Sequence, residues 1–168
     1  MAYLTRDQID AMGFHHVGKN SLLSDKASYY NCNNISIANN TRIDDFAVLS
    51  AGVGGIEIGS YVHIAVGVLL IGSAKITIKD FSGLSSRVSV YSSSDDYSGE
   101  YMTNPMIPEQ FTNVNHAEVT IGRHVIIGAG SIILPGVNLA DGVAIGALSL
   151  VYKSCEEFGV YIGTPIKK

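Results

Sequence analysis

Five histidines and one pair of adjacent carboxylates carry most of the chemistry open to this 168-residue chain. A histidine titrates near neutral pH and so serves as a general base; a carboxylate binds an ammonium or sugar hydroxyls, or orients such a histidine. His63, His116 and Asp95 are the candidates for that work. Asp96, Tyr97, Tyr101 and Asn104 share one segment with Asp95 and His116 and are candidates for holding a polar substrate. SDDYSG around the pair is also good turn chemistry, so a loop-capping role for it stays open. His15 and His16 lie near the N-terminus, and His124 lies where it can line a groove without moving a proton. Cys32 and Cys155 are far apart and have neither CxxC nor any other metal spacing, so they read as ordinary thiols and no metal is expected.

The element that must position these side chains is a ladder with a six-residue step. Its rungs are Val17/Leu23/Tyr29, Ile37/Ile43/Leu49, Ile58/Ile64/Leu70, Ile78/Leu84/Val90, Ile121/Ile127/Ile133 and Leu139/Ile145/Val151. Seventeen of these 18 slots hold Ile, Leu or Val, types that make up only 45 of the 168 residues, so chance does not explain the period. Neither a 3.6-residue helix nor an alternating strand repeats this way. Three six-residue faces per turn describe a triangular parallel β-helix, and six triplets give about six coils. The residue two before each slot must also turn inward near a corner, and most are small: Ser21, Thr41, Ala47, Ser82, Ser131, Ser149 and a run of valines. By strand alternation His63, directly before slot Ile64, projects outward.

The ladder breaks once. Thirty-one residues separate Val90 from Ile121, leaving an ordered loop over 91–118 that holds the carboxylate pair, three tyrosines, two prolines and His116. Long loops on rigid scaffolds carry function. Thr5 as N-cap and Gly13 as stop predict a short helix that plugs the bottom of the prism. The expected organisation is a helical cap over 1–16 and a β-helix domain over 17–168 with one insertion. Charged residues are 15% of the chain and the net charge is −4, with no basic block, so nucleic acid is not an expected partner. Charges at the N-terminus where a signal peptide needs an apolar stretch, and the absence of a membrane-length apolar run, predict a cytoplasmic protein with no membrane insertion.

The stretches VTIGRHVIIGAGSIILPGVNLADGVAIGALSLVYK (119–153) and GTPIK (163–167) resemble the C-terminal half of the hexapeptide-repeat sugar acetyltransferases. RIDDFAVLS (42–50), DFSGLSS (80–86) and SDDYSGEYMTNP (94–105) are similar to the branch that modifies sugars for surface polysaccharides such as lipopolysaccharide O-antigen. The resemblance implies a left-handed coil, since general crossover rules favour the right hand and the period gives none. It also implies a homotrimer with intersubunit sites and acetyl transfer from acetyl-CoA to a hydroxyl or amine of a sugar or nucleotide-linked sugar. Coenzyme A would lie in a groove between prisms along Gly128, Ala129, Gly146 and Ala147, with Lys153, Pro165 and Lys167 near its phosphates. In the galactoside and maltose branch the catalytic histidine stands near the start of the long loop, where this chain has Ser92, Ser93, Ser94, Asp95 and Asp96. Either His63 or His116 takes over, or the acceptor is an amine that attacks a thioester unaided. A non-catalytic trimeric scaffold and a β-helical zinc enzyme of the carbonic anhydrase type are the competing classes. The first lacks an exposed repeating array; the second lacks the histidine spacing.

Overall fold

A computed structural model describes residues 2–168. Every strand of the coil pairs in parallel with its equivalents one turn away, and the strands form three sheets. The first face stacks His16–Val17, Ile35–Ile37, Ile56–Ile58, Ile76–Ile78, Val119–Ile121 and Asn138–Leu139. The second stacks Leu22–Leu23, Arg42–Ile43, His63–Ile64, Gly83–Leu84, Ile126–Ile127, Ala144–Ile145 and Val160–Tyr161. The third stacks Ser28–Tyr30, Val48–Ala51, Leu69–Gly72, Ser89–Tyr91, Ile132–Ile133 and Leu150–Val151. The architecture is the left-handed parallel β-helix that the resemblance implied.

The slots form the core. All but one are buried, and the exception is Tyr29, the only slot that is not Ile, Leu or Val; its ring meets Phe14 edge-on at 5.4 Å. The small residues before the slots have a second reason to be there. Thr41 Oγ1 donates to the Gly59 carbonyl at 2.7 Å and Ser82 Oγ to that of Gly122 at 2.7 Å. Ser131 Oγ donates to the Gly146 carbonyl at 3.0 Å. Each hydroxyl thus satisfies a corner carbonyl of the next coil that no strand ladder reaches. His15 departs from the pattern and stays on the surface, because the first coil has no coil beneath it to close against.

The helix runs Arg6–Ala11, capped reciprocally by Thr5 and Gln8, and packs Ile9 into the same core. The ladder extends past the six coils expected. Cys155 bridges Leu139 and Tyr161 pairs with Ile145, each sixteen residues on rather than eighteen, and with Ile166 they fill a seventh, incomplete turn. The shortened spacing hid it from a six-residue count. Cys155 is accordingly a core residue, and burial, partly offset by Lys153, pushes its thiol pKa up, away from the reactive thiolate.

The 91–118 loop is ordered. Its two ends pair antiparallel, Ser93 with His116 and Ser94 with Asn115, so the excursion leaves and re-enters through a short hairpin. Ser92 Oγ bonds the Ala74 carbonyl at 2.6 Å and Ser93 Oγ accepts from the Ser73 amide at 2.8 Å, pinning that hairpin to the coil below.

Candidate functional site

Residues that follow one another vertically on a parallel β-helix are set by register, not by sequence distance. On the second face the outward row reads Leu22, Arg42, His63, Gly83, Ile126, Ala144 and Val160. His63 therefore points outward as expected, directly above Arg42. Beside them Asp44 turns into the corner, 3% exposed. His63 Nε2 donates to its Oδ2 at 2.9 Å and Arg42 Nε to its Oδ1 at 2.6 Å. Burial pushes the Asp44 carboxyl pKa up, but the hydrogen bonds from Arg42 and His63 outweigh it and hold the group below the usual carboxylate range. The carboxylate fixes the ring of the half-exposed His63 through Nε2, the arrangement that orients a base.

Above His63 lies a shallow pocket of about 310 Å³, lined by His63, Ala65, Gly83, Ser85, Ser86 and Ile126. Ser86 marks the edge between the second and third faces. The Gly130 amide donates to the Ser86 carbonyl at 3.0 Å and the Leu148 amide to that of Ala129 at 2.9 Å, so Ser86, Ala129 and Ala147 stack one above another along that edge. A Cβ on Gly128 would lie 2.4 Å from the Ala147 amide nitrogen, so only glycine lets the coils close there. The exposed alanines leave a smooth strip of backbone. The last residues bend back beside the same edge, with Ile162 and Lys167 exchanging both backbone hydrogen bonds at 2.9 Å around the Thr164–Pro165 turn. Gly128, Ala129, Gly146, Ala147, Pro165 and Lys167 are thus brought together. Lys153 is not. It follows the third-face strand Leu150–Val151 and stands over the Tyr152 ring at 5.7 Å, at the far end of that face.

The loop residues are not brought to this pocket within one chain. The loop springs from the edge between the third and first faces, opposite the second face, and no residue of 91–118 lines the pocket at His63. Asp96 is committed to the loop itself: its carboxylate accepts from the Ser98 hydroxyl, from the Ser98 amide at 2.7 Å and from Asn113 Nδ2 at 2.8 Å. Those bonds, Ser98 first, hold its pKa below the usual value. His116 Nδ1 lies 2.7 Å from Ser93 Oγ at the base of the hairpin. Asn104 adopts φ 82° and accepts from the Met106 amide at 3.0 Å, closing a turn. Tyr97 and Tyr101 are exposed, and among the described residues the Asp95 carboxylate has no partner.

His124 sits at a corner with φ 55° and stacks on Phe81 at 5.0 Å, which stacks on Tyr61 at 5.2 Å. It belongs to an aromatic column between the first and second faces. A wider groove of about 700 Å³ runs up the first face past His15, His16, Glu57, Thr77, Lys79 and Arg123. Among the described residues no three His, Cys, Asp or Glu side chains converge as a metal site, and no helix is long and apolar enough to cross a membrane. Sequence reasoning missed Asp44 and Ser85. The signal for both was the column: once the 21-residue step from Arg42 to His63 and the 43-residue step from Gly83 to Ile126 are aligned, Asp44 lies beside His63 and Ser85 beside Gly128.

No protein-family model matches the chain. It is 58% identical over 167 residues to the dTDP-4-amino-4,6-dideoxy-D-glucose acyltransferase of Escherichia coli, covering 99% of this chain and 87% of that protein. It is 44% identical, with a TM-score of 0.95, to a serine-to-alanine mutant of AntD, an N-acyltransferase from Bacillus cereus, in complex with dTDP-4-amino-4,6-dideoxyglucose and coenzyme A; the match covers 99% of this chain and 88% of that one. AntD in complex with dTDP and 3-hydroxybutyryl-CoA matches at 45% identity and a TM-score of 0.94, over 98% of this chain and 87% of that one. A further form of AntD is substituted at an aspartate ten positions after that serine.

Proposed function

This chain belongs to the family of dTDP-4-amino-4,6-dideoxyglucose acyltransferases, and on that premise we propose that it N-acylates such a dTDP-linked amino sugar with an acyl group from acyl-CoA, acetyl-CoA being the simplest donor. The observation that carries the reading is the identity of 58% across 99% of the chain to the Escherichia coli acyltransferase. An amine acceptor also removes the difficulty raised by Ser92–Asp96 at the loop start, because a neutral amine attacks a thioester without prior deprotonation.

In the proposed step the sugar nitrogen lone pair attacks the thioester carbonyl, an N–C bond forms, the C–S bond breaks, and the nitrogen proton ends on the leaving sulfur. The Asp95 carboxylate binds the acceptor ammonium and takes its first proton, which frees the lone pair and passes to solvent; the proton that leaves nitrogen after the N–C bond forms is the one that goes to sulfur. Ser85 and Asp95 stand ten positions apart, the spacing of the serine and aspartate substituted in AntD. Ser86 and Asp96 share it, but the Asp96 carboxylate is already engaged by Ser98 and Asn113. His63, fixed by Asp44, is the second candidate for moving the proton, while His116 holds the hairpin through Ser93. Tyr97, Tyr101 and Asn104 contribute loop surface to the sugar nucleotide. Coenzyme A follows the Gly128–Ala129 and Gly146–Ala147 strip, with Lys167 as a point charge near its phosphates.

Because Asp95 and the pocket lie on opposite sides of one prism, the site is completed by the loop of a second copy, which supports a homotrimer with intersubunit sites. The helical cap over 1–16 and the β-helix over 17–168 work as one protomer. The cytoplasm, where acyl-CoA is made, is the proposed location, and a surface-polysaccharide sugar such as that of an O-antigen the proposed destination.

Incubation of the purified protein with acetyl-CoA and dTDP-4-amino-4,6-dideoxyglucose should release coenzyme A and yield the N-acetylated sugar by mass. Absence of that product sinks the reading. Mixing unfolded Ser85→Ala and Asp95→Ala chains and refolding them together should restore about one quarter of wild-type activity if the two residues meet across a cyclic interface. No recovery argues that both act within one chain.

A further inference from the structure

Gly83 is the one glycine among the 18 that the backbone does not require. Each of the others either has a φ in the left-handed region or would bring a Cβ into contact with a neighbour. Gly83 has neither constraint: its φ lies outside that region and a Cβ built on it meets no atom within 4 Å. Glycine inside a strand costs stability relative to a residue with a side chain, and it persists where something else must approach the backbone closely.

The place where this side chain is missing is specific. Gly83 stands in the outward row between His63 below and Ile126 above, and its open Cβ position forms the floor of the 310 Å³ pocket. Ala65 and Ile126 give the pocket apolar walls, while Ser85 and Ser86 lead from it to the Ala129–Ala147 strip. On the acyltransferase reading, a thioester delivered along that strip would reach the pocket with its sulfur near Ser85 and Ser86, which line it. What extends beyond the sulfur is the acyl chain.

We infer that Gly83 sets the size of the acyl group, giving room for chains longer than acetyl between His63 and Ile126. This rests on the acyltransferase reading of the second face. The pocket admits an acetyl group and, because the Cβ position is empty, a four-carbon chain as well. A side chain at 83 occupies the volume that the third and fourth carbons need.

The test compares acetyl-CoA and butyryl-CoA with the same dTDP-linked amino sugar, in the wild type, Gly83→Ala and Gly83→Val. Melting of each variant is recorded alongside; the alanine, whose Cβ meets nothing, keeps the comparison open if the valine does not fold. The wild type should use both donors. The butyryl-to-acetyl ratio of kcat/KM should fall in the alanine variant and fall by about tenfold or more in the valine variant, since a single methylene in a fitted pocket discriminates by roughly 10–200-fold. A wild type that refuses butyryl-CoA, or a ratio that neither variant changes, overturns the role of Gly83 while leaving acyl transfer intact. No transfer from either donor, with no coenzyme A bound, overturns the acyltransferase reading and the inference with it.

Discussion

On the second face Asp44 is buried beneath hydrogen bonds from Arg42 and His63, whereas in the loop Asp95 stands at the surface without a carboxylate partner among the described residues and Asp96 bonds only other loop residues, Ser98 and Asn113. The face takes its order from neighbours one coil away; the loop takes its order from bonds among its own residues and from the hairpin at its base. A wall built by stacking is rigid before any ligand arrives, and a loop closed on itself can be offered to another molecule without losing its shape. In the proposed intersubunit site, one copy would supply the wall that faces the acyl group and another the arm that holds the acceptor.

The largest expected effect tests the arm. Asp95→Ala should lower kcat by about a hundredfold or more, the range for losing a positioned proton carrier, with the melting temperature unchanged. A loss smaller than about tenfold would hand that role to the wall and to His63. The next tests the wall. Asp44→Ala removes the acceptor shared by Arg42 and His63 and should lower stability by about 1–3 kcal/mol, read from denaturant unfolding, and weaken turnover as His63 loses its orientation. Equal melting of Asp44→Ala and wild type would mean the wall does not depend on this buried group.

Acidity should separate the two regions further. The Asp44 carboxyl is held below its usual pKa in the folded chain, so the folded state binds fewer protons than the unfolded one as the solution is acidified. Its contribution is present above the unfolded value of about 4 and is lost as pH falls through the folded value. Asp44→Asn should therefore show a flatter decline of stability below about pH 4 than the wild type, measured by denaturant unfolding at a series of pH values. An identical decline would assign acid sensitivity to other carboxylates. The smallest effect belongs to Asp96→Ala. Loss of its bonds to Ser98 and Asn113 should speed proteolysis within 91–118 by about a few fold and leave melting of the coils unchanged, as expected for a local opening. A shift in coil melting would show that the loop is part of the stable core.

Much of the scaffold was legible in the sequence because a repeat declares its own contacts: Ile37, Ile43 and Leu49 occupy equivalent places only if the chain turns after every six residues. The helix between Thr5 and Gly13 was legible for a local reason, its caps. The seventh turn was not, since Cys155, Tyr161 and Ile166 follow a shorter step and their types are not those of the ladder. In the site, the outward direction of His63 followed from alternation, yet Asp44 and Ser85 went unnoticed. Their neighbours are 19 to 43 residues away, and the distance depends on how many residues each corner adds. Lys153 looked like a companion of Lys167 by proximity in sequence, but the third face separates them.

The sequence by itself determined the prism, its length to within one turn, and the single place where it is interrupted, because slot side chains must be apolar in every coil regardless of what the outside does. Only the tertiary structure decided which outward side chains share a column, that Asp44 holds His63, that Gly83 leaves an opening, and that the loop faces away from that opening in its own chain. Those relations depend on register between coils. Register is set by backbone hydrogen bonds summed over whole turns, and no local spacing records it.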